Sequence, residues 1–165
     1  MADVFNAEEV LEMACQIERN GARYYRRAAD LMRDDKPRRL LKELALMEDE
    51  HEATFETMRA DLSKRSELLG NADELAVMYL KSMADGYVFP VDTDPAEELT
   101  EETTLDEILR HAIGMEKDSI VFYLGIRDAM SPALGKERVE HVIREEMRHV
   151  ALLSERLSEV ARGEA

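Results

Sequence analysis

The chain has 165 residues, of which 37 are acidic and 22 basic, so its formal net charge at pH 7 is −15. A surface this acidic argues against nucleic acid or an anionic membrane as a binding partner. The single cysteine excludes an intrachain disulfide and any metal centre built from four cysteines, and no apolar run approaches the 18 residues that a membrane-spanning helix needs.

Apolar residues recur at helical spacing along four long segments. We expect helices near 7–33, 37–65, 105–130 and 136–162. About forty residues separate the second of these helices from the third, and a shorter helix is predicted among them near 73–85. A crossover of this length, over 63–103, allows the second helical hairpin to pack against the first with approximate two-fold symmetry. The sequence therefore predicts one all-α domain, a four-helix bundle spanning 1–165.

Local signals predict where these helices begin and where the chain turns. Residues 104–107 (Thr-Leu-Asp-Glu) form a capping box, and residues 6–9 (Asn-Ala-Glu-Glu) are its asparagine variant. The segments 33–37 and 131–135 combine charged or small residues with proline, which predicts a turn inside each hairpin.

One pattern of three residues occurs twice, 98 positions apart. The first copy consists of Glu18, Glu48 and His51, and the second of Glu116, Glu146 and His149. Residues 6–62 and 104–160 match at ten positions when they are aligned at this offset, and all six residues of the pattern are among the matches. The pattern therefore predicts an internal two-fold repeat.

The spacing within each copy suits a metal ion. Residues i and i+3 of an α-helix lie about 60° apart around the axis and ~4.5 Å apart along it, so Glu48 and His51 can reach one ion. Glu18 precedes the predicted turn and comes level with them to within about one helical turn. Four carboxylates in a core would repel one another by ~4 kcal/mol for a pair at 4 Å and an effective dielectric of 20, whereas two divalent cations would neutralise them. Two glutamates and two Glu-x-x-His motifs, from four helices, are the inward-facing ligand set of carboxylate-bridged dimetal bundles.

Residues 17–25 and 115–123, together with the two Glu-x-x-His motifs, resemble the rubrerythrin-like branch of the ferritin-like superfamily. The resemblance covers nearly the whole chain outside the crossover, and it implies a ferritin-like bundle that holds two iron ions. The implied roles are bridging for Glu48 and Glu146, terminal for Glu18 and Glu116, and one iron each for His51 and His149. Manganese or zinc is an alternative, because oxygen and imidazole ligands serve these ions too.

Two tyrosines stand at a fixed distance from the predicted terminal ligands. Tyr25 and Tyr123 follow Glu18 and Glu116 by seven residues, which is two turns along the same helix face. We expect each hydroxyl to hydrogen-bond a ligand carboxylate and fix its orientation. The alternative is a core tyrosine whose hydroxyl has some other partner.

The sequence departs from the family pattern in two ways. Rubrerythrins usually carry an additional glutamate three positions after the third-helix ligand, where this chain has Ser119, matched by Gly21 in the first half. This difference argues against efficient peroxide reduction by the route that uses the additional glutamate. A rubredoxin-like four-cysteine module is absent, so we expect electrons to come from a separate donor protein.

The remaining candidates receive structural roles. Cys15 lies one turn before Glu18 and is expected to be a small core residue, with a position facing the cavity as the alternative. His111 and His141 lack the ligand register, so surface or helix-end positions are expected for both. Six crossover residues are expected to cover the bundle, or alternatively to form a subunit interface: Tyr79, Leu80, Met83, Tyr87, Val88 and Phe89.

The ligand set and the resemblance lead to one functional prediction and two alternatives. The prediction is an oxidoreductase in which two Fe(II) ions each supply one electron to H2O2 or O2, so that all six ligands act in catalysis. The alternatives are iron handling or storage with ferroxidase activity, and a helical bundle whose metals are structural. The absence of a basic or hydrophobic N-terminal stretch predicts a cytoplasmic location. A homodimer or higher homo-oligomer is expected.

Overall fold

The structure, a computed structural model, describes residues 7–62, 74–84 and 93–164, and every regular element within these ranges is a helix. Five α-helices follow one another: α1 (Ala7–Leu31), α2 (Asp35–Leu62), α3 (Glu74–Ala84), α4 (Leu105–Ala129) and α5 (Lys136–Ala161). Short 3-10 helices lie at Pro95–Glu98 and Pro132–Leu134. The predicted all-α class and the four long helices are confirmed, and α3 is the extra helix that was expected in the crossover.

The long helices form two hairpins. α1 packs mainly against α2, and α4 packs mainly against α5. The hairpins meet where α1 contacts α4 and where α2 contacts α5. This arrangement is the four-helix bundle with a long crossover that the repeat predicted.

The beginnings of the helices follow local chemistry. The Thr104 hydroxyl accepts a hydrogen bond from the Glu107 amide, and the Glu107 carboxylate accepts one from the Thr104 amide, which confirms the capping box. Asn6, the other predicted cap, lies outside the described residues. The predicted turn at 33–37 was too long, because α2 already begins at Asp35. Pro37 is tolerated in this first helical turn, where its missing N–H would have no intrahelical acceptor.

Two apolar clusters fill the bundle, and the predicted ligands lie between them. One cluster takes residues 10–17 of α1 and 55–62 of α2 together with parts of α3, α4 and α5. The other takes residues 24–29 of α1 and 41–45 of α2 together with parts of α4 and α5. On every long helix the predicted ligands fall between these stretches, so they form one polar layer at mid-bundle. A polar layer in this position needs partners of its own.

Helix α3 covers one apolar cluster, as predicted. Leu80 and Met83 are buried in that cluster, and the Tyr79 hydroxyl donates a 2.8 Å hydrogen bond to the Val121 carbonyl oxygen. A Cβ at Gly125 would lie 2.6 Å from the Tyr79 ring, so the close approach of α3 to α4 depends on this glycine. The other predicted covering residues, Tyr87, Val88 and Phe89, lie outside the described ranges. No helix in the described part of the chain is both long enough and apolar enough to cross a membrane.

Candidate metal centre

The structure brings all six predicted ligand residues together. They fall into two overlapping groups, in each of which one ligand atom per residue lies within 4.8 Å of the others. The first group is Glu18, Glu48, His51 and Glu146, and the second is Glu48, Glu116, Glu146 and His149. None of the six is more than 4% exposed. Glu48 and Glu146 belong to both groups, which is the placement expected of carboxylates that bridge two ions.

Glu146 turns its two carboxylate oxygens toward different histidines. Oε1 lies 3.0 Å from Nδ1 of His51, and Oε2 lies 2.9 Å from Nδ1 of His149. The two imidazole rings are nearly parallel, with their centroids 5.5 Å apart. Both Nδ1 atoms therefore point to the centre of the layer, one on each side of the Glu146 carboxylate.

Most polar atoms at the centre of this layer lack hydrogen-bond partners. Within the described ranges, the buried unpartnered atoms of the layer are Oε2 of Glu18, Oε1 of Glu48, both carboxylate oxygens of Glu146, Nδ1 of His51, and both ring nitrogens of His149. Unpaired buried polar groups are costly and rare in folded proteins. Because the carboxylate oxygens and the two Nδ1 atoms of this set belong to two overlapping groups, the residues present fit two divalent cations.

Crowding changes the proton affinities of the layer. Burial and the Glu146 and Glu116 carboxylates raise the pKa of Glu48 well above its usual value. Burial, followed by repulsion from Glu116, raises the pKa of Glu146 to about 8. Burial lowers the pKa of His51, but its contacts with the Glu146 and Glu18 carboxylates outweigh burial and raise it to about 11. Without metal ions, protons on these groups would balance the carboxylate charge, so protons and cations compete for the layer.

Each of the two predicted tyrosines hydrogen-bonds a ligand carboxylate, and the partner belongs to the opposite half. Tyr25 on α1 donates to Oε1 of Glu116 on α4, and Tyr123 on α4 donates to Oε1 of Glu18 on α1. Burial, with the nearby carboxylates adding to it, raises the pKa of both phenols well above the usual value, so they remain neutral donors. The expected hydrogen bonds to carboxylates of the predicted ligand set are therefore present, and the role of the tyrosines in orienting metal ligands stays a prediction.

The family model for rubrerythrin matches residues 9–157 of the chain. The chain belongs to the rubrerythrin family. Among solved structures it is similar to a protein of Thermotoga maritima described as a candidate ferritin-like diiron-carboxylate protein, with 26% identity and a TM-score of 0.72. The match covers 94% of this chain and 97% of that one. No curated protein matches the sequence. The predicted family and its ferritin-like fold are thus confirmed.

A cavity of about 200 Å³ between α1 and α4 leads to this rubrerythrin-type layer. Its inner wall includes the predicted ligands Glu48 and Glu116 together with Tyr25. The segment at Thr93–Glu98 forms part of its outer wall. Asn20 on α1 holds this segment through a 3.2 Å hydrogen bond from its amide to the Thr93 carbonyl oxygen. The cavity therefore reaches two of the predicted ligand residues.

Two small residues, Ser119 and Gly21, line the cavity. Ser119 lines it, but its hydroxyl donates a 3.0 Å hydrogen bond to the Met115 carbonyl oxygen of its own helix. Gly21 also lines it, and a Cβ at this position would lie 2.7 Å from Oε2 of Glu48. Neither residue supplies a ligand atom. The close approach of Gly21 to Glu48 was not predicted.

One contact of a ligand residue was missed by sequence reasoning. Oε2 of Glu145 lies 2.9 Å from Nε2 of His51. Because an ionised carboxylate can only accept, Nε2 of His51 carries a ring hydrogen and donates it to Glu145. Glu145 directly precedes the predicted ligand Glu146, so it lies about 100° around α5 from the inward face. It therefore does not share a helix face with Glu146 and His149. The one sequence signal for this contact is the position of Glu145 directly before a Glu-x-x-His motif.

The residues assigned to structural roles lie where they were expected. Cys15 is buried in an apolar cluster, where burial followed by repulsion from Glu12 raises the pKa of its thiol to about 11. His111 is exposed and stacks on Tyr24, with ring centroids 5.0 Å apart. His141 is exposed, with Nε2 3.5 Å from Oε2 of Glu145. The core prediction for Cys15 and the surface predictions for both histidines are confirmed.

Proposed function

We propose that the chain is a di-iron oxidoreductase that reduces H2O2, or O2, at the layer formed by its six buried ligand residues. The observation that carries this proposal is the pair of overlapping four-residue groups that share Glu48 and Glu146. Family membership supports iron as the resident metal. Manganese and zinc fit the same donor atoms and are separated from iron by the metal content of the purified protein.

The six residues divide into three roles under this proposal. Glu48 and Glu146 would hold both ions, Glu18 and His51 would complete the first position, and Glu116 and His149 would complete the second. When bound, two ferrous ions supply one electron each, and two electrons with two protons convert H2O2 to two molecules of water. The protein would supply six buried ligand residues and the cavity beside Glu48 and Glu116 through which the oxidant reaches them.

The tyrosines set the orientation of the terminal carboxylates. Tyr25 and Tyr123 engage Oε1 of Glu116 and Oε1 of Glu18, and Oε2 of Glu18, which has no hydrogen-bond partner among the described residues, can face an ion. Because both phenols are buried and neutral, they hold their protons over the physiological pH range. We propose that they keep the carboxylates aligned while the charge of the layer changes.

A second candidate function is iron oxidation, in which the ferrous ion is the substrate and O2 or H2O2 the oxidant. Ser119 favours iron oxidation, because it stands where rubrerythrins usually carry the additional glutamate and brings no carboxylate to that position. Its hydroxyl hydrogen-bonds its own helix instead. In this case the oxidised ions leave the layer. In the first case they are reduced again, by a separate donor protein, since the single cysteine of the chain provides no four-cysteine centre.

Rapid mixing tests the proposal and separates the two functions. Anaerobic protein loaded with two ferrous ions per chain is mixed with H2O2 or O2, and the optical spectrum is followed through several additions of ferrous ion or of a chemical reductant. Repeated turnover of H2O2 with reductant and retained iron supports the oxidoreductase, whereas repeated turnover only with added ferrous ion supports iron oxidation. Glu146→Ala should abolish the rapid phase in either case. Glu50→Ala, an exposed residue inside the first Glu-x-x-His motif, is the matched control and should react like the unaltered protein.

A further inference from the structure

We infer that the two metal positions are unequal, and that Glu145 is the positioning residue that makes the position at Glu18 and His51 the tighter one. The position at Glu116 and His149 then holds the more weakly bound, exchangeable ion. This inference rests on the proposed dimetal function. The same pattern of three ligand residues occurs in both halves of the chain, so the difference between the two positions comes from a residue beside them.

Glu145 supports only one of the two histidines. It lies on α5, and its carboxylate reaches across to Nε2 of His51 on α2 at 2.9 Å. The same carboxylate is held by His141, at 3.5 Å, and by Arg148, at 3.8 Å, so its position is defined from two sides. A carboxylate that accepts the second ring hydrogen of a ligand histidine fixes the ring orientation and makes the other nitrogen a better ligand.

His149 lacks this support. Its Nε2 is buried and, in the part of the chain that the structure describes, has no hydrogen-bond partner. The residue that stands to His149 as Glu145 stands to His51 is Met47, 98 positions before Glu145, and its side chain offers no comparable acceptor. An ion bound through Nδ1 of His149 would leave a ring N–H buried without an acceptor, which weakens that position relative to the first.

The cavity opens on the same side as the weaker position. Of the six ligands, its wall includes Glu116, which belongs only to the group around His149, and Glu48, which belongs to both groups. Glu18 and His51 do not line it, and neither do Glu146 and His149, so Glu116 is the residue that sets the side on which the cavity lies. The ion with the unsupported histidine is therefore also the one beside the path to solvent, whereas the ion with the supported histidine is enclosed. These two features together predict that the ions load in order, first at His51 and then at His149.

Stepwise titration of metal-free protein with Co(II), in competition with a chelator of known affinity, measures both dissociation constants. We expect two ions per chain with dissociation constants at least about ten-fold apart. Glu145→Ala should weaken the tighter position by about 10–100-fold, the range found when such a support is removed, and leave the weaker one unchanged. Glu145→Gln keeps a carbonyl oxygen that can accept the hydrogen bond, so it should retain part of the difference.

Two further variants separate positioning from a general effect on folding. Met47→Glu places a carboxylate at the equivalent position beside His149 and should tighten the weaker position. Glu140→Ala removes a surface carboxylate of the same helix, which pairs with Arg127 and Arg144, and should change neither constant. Circular dichroism of each metal-free variant checks that the helices are intact.

The outcomes are distinct. Two ions of equal affinity in the unaltered protein, or equal weakening of both by Glu145→Ala, would overturn this inference while leaving the dimetal proposal intact. Failure of Met47→Glu to tighten either position in a folded protein would count against the role assigned to the carboxylate. A protein that binds no Co(II) at all would overturn both this inference and the proposed function.

Discussion

The Tyr25 hydroxyl on α1 donates its hydrogen bond to Glu116 on α4, across the boundary between the two helical hairpins. Tyr123 and Glu18 make the reciprocal bond in the opposite direction. Each half of the repeat therefore orients a carboxylate of the other half. This exchange links the packing of the hairpins to the geometry of the ligand layer.

Removing either hydroxyl should weaken the fold and the metal layer together. Tyr123→Phe deletes a hydrogen bond to a buried carboxylate, and such bonds contribute about 1.5–3 kcal/mol. We expect a loss of this size in the free energy of unfolding of the metal-free protein, measured with urea. Tyr79→Phe deletes a half-exposed bond to the Val121 carbonyl oxygen and is the control, with an expected loss of about 0.5–1.5 kcal/mol. Equal losses for the two variants would contradict the importance given to the exchange.

The metal-free protein should become less stable as the pH rises from about 5 to 9. The folded-state pKa of Glu146 is about 8 against an ordinary 4.5, and that of His149 is about 9 against 6.5. Both groups bind protons more tightly in the folded protein than in the unfolded chain. The free energy of unfolding therefore falls as the pH rises from the unfolded-state pKa of each group to its folded-state pKa. Glu116, whose pKa is lowered, has the opposite dependence, but only below its ordinary value of 4.5. Urea unfolding at several pH values measures the trend, and an increase in stability over this range would show that the carboxylates are not crowded.

Metal binding near pH 7 should release protons. His51 and His149 hold protons at this pH in the metal-free layer, since their pKa values are about 11 and 9. Both nitrogens that face the carboxylates must lose hydrogen to bind an ion. Calorimetric titration with Co(II) in buffers of different ionisation enthalpy measures the number released, and we expect at least one proton per ion. Binding without proton release would place the ions elsewhere.

Gly21 should be required for the position of Glu48. A Cβ at Gly21 would lie 2.7 Å from Oε2 of Glu48, so Gly21→Ala should displace this carboxylate and weaken metal binding by at least about ten-fold. Gly114→Ala is the matched control on an exposed part of α4, with no atom within 4 Å of the added Cβ. It should stabilise the helix by about 0.5–1 kcal/mol and leave metal binding unchanged. Unchanged metal binding in Gly21→Ala would mean that Glu48 can move without loss.

The features that could be predicted from sequence are those with a helical period. Apolar spacing predicted the four long helices, and the register of Glu48 with His51, repeated 98 positions later, predicted which side chains meet at mid-bundle. The start of α2 was misplaced because proline is a turn signal in sequence but also fits a first helical turn.

Contacts between helices were harder to predict. The seven-residue spacing placed Tyr25 on the face of Glu18, yet its partner is Glu116 on another helix, and spacing along one helix carries no information about its neighbour. Glu145 was missed for the same reason, because it reaches His51 sideways from a position off the inward face of α5. Both contacts depend on how the hairpins are rotated relative to each other, which only the packed structure reveals.

The number of metal ions per chain tests the central claim most directly. Protein purified without chelators and titrated anaerobically with ferrous ion should bind two ions per chain, measured by elemental analysis after removal of free metal. Glu146→Ala removes the carboxylate whose oxygens face both histidines, so it should reduce the load below two, whereas the exposed Glu50→Ala should keep it at two. Two ions per chain in Glu146→Ala, or none in the unaltered protein, would contradict a bridged pair of cations in the buried layer.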